Sequence, residues 1–94
     1  MIKHIVCFKL RNRDDAEKAV EMLESMKGMV PQIRDIEVGR DLLGSDRSYD
    51  VILQVTVDSL EELENYQNDE FHCRVVKPYM HSIRETSVAV DYEI

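Results

Sequence analysis

The chain has few of the residues that break or crosslink a fold: its 94 residues include three glycines, two prolines, two cysteines and no tryptophan. So little glycine and proline, beside 44% hydrophobic and 33% charged residues, argues against disorder and predicts a single globular domain over residues 1–94. Cys7 lies in an apolar run and Cys73 in the helical half of the chain. We therefore expect two buried free thiols and no disulfide framework.

Basic residues are also scarce, because 12 Lys and Arg stand against 19 Asp and Glu, for a net charge of −7. Their closest grouping is the pair Arg11 and Arg13, whereas nucleic acids and anionic membranes require a basic patch. We therefore expect neither a nucleic-acid nor a membrane partner. Lys9 and Arg11 soon interrupt the apolar start of the chain, so no signal peptide or membrane span is predicted and a cytoplasmic location is expected.

Several motifs of enzyme chemistry are missing as well. No pair of Cys or His has the short spacing on one helix face that a zinc site requires. There is no glycine-rich phosphate loop and no serine nucleophile elbow, and no carboxylate pair for glycoside hydrolysis can be singled out among 19 acids. We therefore expect neither a metal nor a cofactor.

The hydrophobic pattern predicts the order strand, helix, strand, strand, helix, strand. Gly28 suits a helix C-terminus, Ser59 and Glu62 have capping-box spacing, and Asp69 can cap a further short helix. Lys77 precedes Pro78, which should end that short helix. The order is that of an α+β, ferredoxin-like βαββαβ fold, with a four-stranded antiparallel sheet and the helices on one face. The predicted strands are residues 2–10, 33–41, 48–57 and 82–93.

One face of this sheet has no predicted cover. Four strands about 4.8 Å apart and about 20 Å long expose a face on the order of 400 Å². An apolar patch of that size usually marks a partner site, and a symmetric dimer that closes two sheets face to face is the simplest cover. The apolar residues that compete for the two faces are Ile5, Cys7, Ile36, Val38, Ile52, Val88 and Val90.

The segment from Tyr66 to His72 places a phenol and an imidazole on either side of a helix break. These are the side chains best suited to moving a proton at neutral pH without metal or cofactor. With Asp69 as N-cap, the positive helix end favours a neutral His72, whereas the carboxylates of Asp69 and Glu70 favour the charged form. Tyr66 would hydrogen-bond a ring nitrogen of His72 or donate to an enolate oxygen. The alternative is a structural histidine bonded to a backbone carbonyl beside a half-buried tyrosine.

Short landmarks occur along the whole chain: Met1 to Val6, Val30-Pro31, Val38 to Asp41, Ser48-Tyr49-Asp50, Tyr66 with His72, and Val90-Asp91-Tyr92. In these residues the chain resembles the stress-responsive A/B barrel family, a branch of the dimeric α+β barrel proteins. The resemblance implies a homodimer whose two sheets form a barrel, with a cavity between sheet and helices in each subunit.

Members of that family include plant proteins linked to stress and a plant polyketide cyclase. In the cyclase a histidine acts as base, helped by a tyrosine six residues earlier; these positions match His72 and Tyr66, and a histidine in its first strand matches His4. This chain departs from the pattern at Asp69-Glu70, where members often have His-Pro. It also has Ala19, Val20 and Leu23 in place of bulky aromatics, so the polyketide substrate is not carried over.

Three functions are compatible with these residues. The first is binding of a small apolar carbonyl or phenolic molecule between sheet and helices, with cofactor-independent proton transfer of the cyclase or isomerase type. In this function His72 is the base, and Tyr66 orients it or acts as the acid. The second is a non-catalytic, ligand-binding or stress-related dimeric barrel. The third, a cofactorless monooxygenase, is weakest because tryptophan is absent. The residues predicted to contact the substrate are His4, Val6, Phe8, Leu23, Leu53, Phe71 and Val75.

Overall fold

A computed structural model describes residues 1–94 and has the ferredoxin-like fold that the sequence predicts. Its elements are β1 (Ile2–Leu10), α1 (Ala16–Glu24), β2 (Asp35–Arg40), β3 (Val51–Val57), α2 (Leu60–Gln67), α3 (Lys77–Ile83) and β4 (Arg84–Glu93). The strands form one antiparallel sheet in the order β2-β3-β1-β4, so the first and third strands are central. A 3₁₀ turn (Arg13–Asp15) precedes α1, and a π-helical turn (His72–Val76) precedes α3.

The register of the sheet assigns the competing apolar residues to its two faces. Directly paired residues on antiparallel strands share a face, and Ile36 pairs with Val55 and Val38 with Leu53, on the side that the helices cover. The other side, which we term the open face, is built around the apolar side chains of Ile5, Cys7, Ile52, Val88 and Val90. Val88 and Val90 are 50% and 61% exposed there.

β3 starts three residues later than predicted, because Asp50, the residue before it, forms hydrogen bonds that hold the β2–β3 loop against β1. The Asp50 amide donates to the carbonyl of Phe8 at 2.8 Å, and its carboxylate accepts from the amide of Leu10 at 2.7 Å and from Arg13 at 2.8 Å. The buried carboxylate is satisfied by its two partners, and together with the backbone bond to Phe8 it anchors the β2–β3 hairpin against the central strand.

Two of the three predicted helix signals, Ser59 and Asp69, are confirmed. The hydroxyl of Ser59 accepts from the amide of Glu62 at 3.2 Å at the start of α2. Asp69 accepts from the amides of Phe71 and His72 at 2.9 Å and 3.2 Å. Gly28 has a φ of 80°, a conformation that favours glycine, but α1 ends at Glu24, so Gly28 lies in the turns that follow and not at the helix C-terminus as predicted.

The prediction that the helix after Asp69 ends at Lys77 is wrong. Lys77 is helical, with φ −57° and ψ −51°, and its amide donates to the carbonyl of His72, five residues back. This wide turn removes the conflict with Pro78, because the proline ring no longer meets the tightly spaced carbonyls of an α-helix. The helix therefore continues to Ile83, and β4 begins at Arg84 rather than at residue 82.

The π-helical turn also changes which side chains face the core. Val75, which was predicted to contact the substrate, is 42% exposed, whereas Val76 is 1% exposed. The extra residue in the turn replaces four-residue spacing by five-residue spacing, so Val76 faces the interior instead of Val75. Cys73 in this turn and Cys7 on the open face are free but half-buried, so the predicted burial of both thiols is only partial.

Candidate functional site

A cavity of about 190 Å³ lies between the helix-covered face of the sheet and the segment that runs from α2 to α3. An apolar cavity of about 150 Å³ accommodates benzene, so this volume fits one substituted ring. β1 and β3 supply its floor, α1 one wall, and the π-helical turn with α3 its cover. The predicted site residues that border it are His4, Val6, Phe8, Leu23, Leu53, Tyr66 and His72.

The other two predicted contact residues, Phe71 and Val75, do not line the cavity. They border a separate surface groove together with Met29. The prediction assumed ordinary α-helical spacing after Asp69, and the π-helical turn shifts these two side chains away from the sheet.

Three aromatic rings meet at one end of the cavity. The ring centroids of Tyr66 and His72 are 4.8 Å apart at an angle of 30°, and those of His4 and Tyr66 are 5.7 Å apart at 63°. Both distances fall within the range of favourable aromatic contact. The pairing of Tyr66 and His72 is therefore a stacking contact, and the hydrogen bond expected between them is not formed.

The hydroxyl of Tyr66 lies 3.8 Å from the sulfur of Met26, a weak acceptor, and the tyrosine is 1% exposed. Burial, and to a lesser degree the charge of Asp69, raise the pKa of Tyr66 well above its ordinary value. Tyr66 is therefore protonated at neutral pH and supports His72 through its ring.

His4 is held by a partner that sequence reasoning missed. Its Nδ1 lies 2.5 Å from Oδ1 of Asp91, the residue directly opposite on β4. This contact satisfies Nδ1 and leaves Nε2 as the second hydrogen-bonding atom of the ring. His4 is thus both a satisfied core histidine and a cavity residue. The β1–β4 register is the signal that pairs it with Asp91, and that register cannot be read from either strand alone.

His72 is only half satisfied. Its backbone amide is capped by Asp69, but its Nδ1 is buried and has no hydrogen-bond partner. Burial lowers the pKa of His72; the Gln67 carbonyl and Asp69 partly oppose this shift, and Lys77 and His4 add to it. His72 is therefore a neutral imidazole at neutral pH that borders the cavity and has one buried, unpaired ring nitrogen.

The lowered pKa of His72 predicts how the free energy of unfolding changes with pH. Because the folded-state pKa lies below the ordinary value of about 6.5, the unfolded chain takes up a proton first as the pH falls, which lowers the free energy of unfolding. We expect native protein to lose more stability than His72→Gln between about pH 7.5 and about pH 5.5 in urea unfolding at fixed protein concentration. All other titrating groups are common to both proteins, so parallel losses would contradict the lowered pKa.

Sequence reasoning also missed the mouth of the cavity. Lys77 and His81 are exposed on α3, and Arg84 is half-buried at the start of β4. The lining residues not predicted are Gln67, Val76, Lys77, Met80, His81, Arg84 and Ser87.

A larger depression of about 610 Å³ lies near the start of α2 and the end of β4, but it has a different character. Asp58, Glu61, Asp91 and Glu93 border it, and no buried unpaired polar atom belongs to it. No cluster of three metal-ligating side chains occurs in the chain. No helix combines the length and the apolar character needed to cross a bilayer.

Comparison with known proteins gives one family and one fold. The family model of the Stress Responsive A/B Barrel Domain matches residues 2–94, whereas no curated protein matches the chain. A dimeric ferredoxin-like protein of unknown function from Bacteroides fragilis is 26% identical, with a TM-score of 0.85 over 99% of this chain and 95% of that one. A Dabb family protein with a ferredoxin-like fold from Mesorhizobium loti is 20% identical, with a TM-score of 0.74 over 99% and 95%. The hydroxynitrile lyase of Passiflora edulis is 17% identical, with a TM-score of 0.80 over 99% and 92%.

Proposed function

This chain belongs to the stress-responsive A/B barrel domain family, and on that premise we propose that it binds a small apolar carbonyl or phenolic molecule in the cavity and transfers a proton to or from it through His72. The observation that carries the proposal is the buried Nδ1 of His72, which has no protein partner. Buried polar atoms are nearly always hydrogen-bonded, so an unpaired nitrogen bordering an apolar cavity is best explained by a ligand group.

The proposed chemistry is abstraction of a proton next to a carbonyl. A neutral imidazole accepts the proton, and the resulting enolate is reprotonated at another carbon or attacks a second carbonyl, as in isomerisation or cyclisation. His72 is the base, and Tyr66 is a positioning residue whose ring holds the imidazole of His72 by stacking. With Nδ1 bonded to Asp91, His4 has Nε2 left to accept a hydrogen bond from a phenolic hydroxyl.

A homodimer formed through the open face is the second part of the proposal. The cross-strand pairs Ile5–Val90 and Cys7–Val88 form an apolar strip that the helices of the same chain cannot reach. The relative from Bacteroides fragilis is described as dimeric. Two copies with their sheets face to face would cover both strips at once, as closed symmetry requires.

The non-catalytic alternative keeps one specific support. Catalytic bases are commonly oriented by a hydrogen-bonded partner, whereas the Tyr66 hydroxyl contacts Met26 and not His72. A binding barrel without turnover would have the same cavity and would use the unpaired nitrogen only to recognise its ligand. The plant hydroxynitrile lyase with the same fold favours the catalytic version, since it shows that this architecture can hold an enzyme active site.

Binding is tested with phenylacetone, a neutral ketone whose single ring suits the cavity volume. We expect native protein to bind it in about the millimolar range or tighter in calorimetry or NMR titration. Val6→Phe, which places a ring in the cavity, should weaken binding by about tenfold or more. Val38→Phe is the matched control, because Val38 is on the same sheet face but does not line the cavity. No binding by native protein, or equal losses in both variants, would refute the site.

The cytoplasmic location and the absence of nucleic-acid and membrane partners are also part of the proposal. They rest on the excess of acidic residues and on two free thiols, a state that is typical of a reducing compartment.

A further inference from the structure

The mouth of the cavity concentrates positive charge in a chain whose net charge is −7. Lys77 and Arg84 border it together with the imidazole of His81, and no Asp or Glu is among the residues that line the cavity. The interior beyond this mouth is largely apolar, with Val6, Phe8 and other core side chains. An apolar cavity with a cationic rim is complementary to a molecule that is apolar at one end and anionic at the other.

Arg84 reaches this position through an irregularity in the sheet. Simple alternation along β4 would put Arg84 on the same face as Thr86 and Val88, away from the cavity. The register shifts between Lys9 and Leu10, so that Thr86 pairs with Lys9 while Arg84 pairs with Leu10. This β-bulge turns the guanidinium to the helix-covered face, and bulges commonly re-aim side chains in this way beside functional sites.

The cations at the mouth have no carboxylate partner within the protein. The ion pairs of the chain join Arg13 to Asp41 and Asp50, Arg34 to Asp58, Arg74 to Glu70, and His4 to Asp91. Arg74 lies between the lining residues His72 and Val76 in the chain but does not line the cavity, and its guanidinium is paired with Glu70 at 2.7 Å. Lys77 and Arg84 are therefore free to bind an anionic ligand, whereas the charge of Arg74 is neutralised by Glu70.

We propose that Arg84, supported by Lys77, binds the carboxylate of the ligand, so that the natural ligand is an apolar carbonyl or phenolic acid. This inference rests on the proposed binding function and narrows its ligand class. A guanidinium binds a carboxylate through two parallel hydrogen bonds, which fixes orientation as well as adding affinity. With its carboxylate at the mouth, the ligand would extend its apolar part toward the ring cluster of His4, Tyr66 and His72.

The test compares phenylacetate with phenylacetamide, which has the same shape and no charge, by NMR titration of the full chain. Native protein should bind phenylacetate about five- to tenfold more tightly than the amide, as a partly shielded charge-assisted contact predicts. Arg84→Gln should remove most of this preference, because it should weaken the binding of phenylacetate several-fold more than the binding of the amide. Lys77→Gln, a change on an exposed helix surface, should reduce the preference in the same direction. Arg74→Gln, which removes a neighbouring charge outside the cavity, should leave it intact.

Two unfavourable outcomes are distinguishable. If phenylacetone binds but phenylacetate shows no preference over the amide, or Arg74→Gln acts as strongly as Arg84→Gln, the carboxylate assignment is wrong and the cavity proposal stands. If neither phenylacetone, phenylacetate nor the amide binds, the binding function itself fails, and this inference fails with it.

Discussion

Replacing His72 with alanine is expected to slow enzyme-dependent exchange of the benzylic hydrogens of phenylacetone for deuterium by about a hundredfold to ten-thousandfold. That range is the usual contribution of a positioned general base. In the proposed mechanism the neutral imidazole of His72 accepts a carbon-bound proton at its unpaired Nδ1, and the enolate then takes up deuterium from the solvent. Loss of the benzylic signal in proton NMR in heavy water measures this step without knowledge of the natural reaction.

His81→Ala is the matched control for this experiment. It removes an imidazole from the same helical segment and from the rim of the same cavity, but from an exposed position away from the ring cluster. We expect it to change exchange by less than about threefold, within the effect of an exposed surface substitution. Circular dichroism and urea unfolding should show that both variants are folded. Exchange at the native rate in His72→Ala would exclude the base role and leave the non-catalytic barrel as the function.

Tyr66→Phe separates the two roles that the sequence left open for Tyr66. Phenylalanine keeps the ring that stacks on His72 and removes only the hydroxyl near Met26. If Tyr66 acts through its ring, exchange in this variant stays within about threefold of the native rate, whereas a general acid would lose about a hundredfold or more. A large loss would assign the hydroxyl to the ligand and contradict the positioning role.

The ring cluster was predictable because local signals determine most of it. The alternation of β1 places His4 on the helix-covered face, and the Asp69 cap places His72 at the start of the last helix. Tyr66 follows from the capping box that starts α2. These signals depend on residues at most a few positions apart, so they can be read directly from the chain.

The mouth of the cavity was not predictable for a physical reason. Lys77 and His81 reach it because the π-helical turn lets the helix continue through Pro78. A residue before proline usually leaves the helical conformation, so the sequence predicted that the helix would end at Lys77. Arg84 reaches it through a β-bulge, which depends on how β4 pairs with β1. The partnership of His4 with Asp91 depends on the same pairing. Each of these features is set by a contact between distant segments, which the local pattern does not contain.

Val90→Asp is expected to convert the protein from a dimer to a monomer. Val90 is 61% exposed on the open face and pairs with Ile5 at the centre of the apolar strip, so the proposed face-to-face dimer would bury it. Two carboxylates, one from each subunit, would be buried in a largely apolar interface, at a cost of several kcal/mol per ion. We expect the dimer dissociation constant to rise by about a hundredfold or more, measured by sedimentation or light scattering over a range of concentrations.

The control for this substitution is Val75→Asp, which introduces the same charge at a valine that is 42% exposed on the helical side of the molecule. Because the dimer proposed here leaves that side free, Val75→Asp should remain dimeric at the native concentration range. The Val90→Asp monomer should also unfold at lower urea concentration, since a chain of 94 residues has a small core and gains stability from the second copy. A native dissociation constant in Val90→Asp would show that the open face is not the interface. Dissociation by both variants would indicate that added negative charge, in a chain already at −7, disrupts assembly through general repulsion rather than through this face.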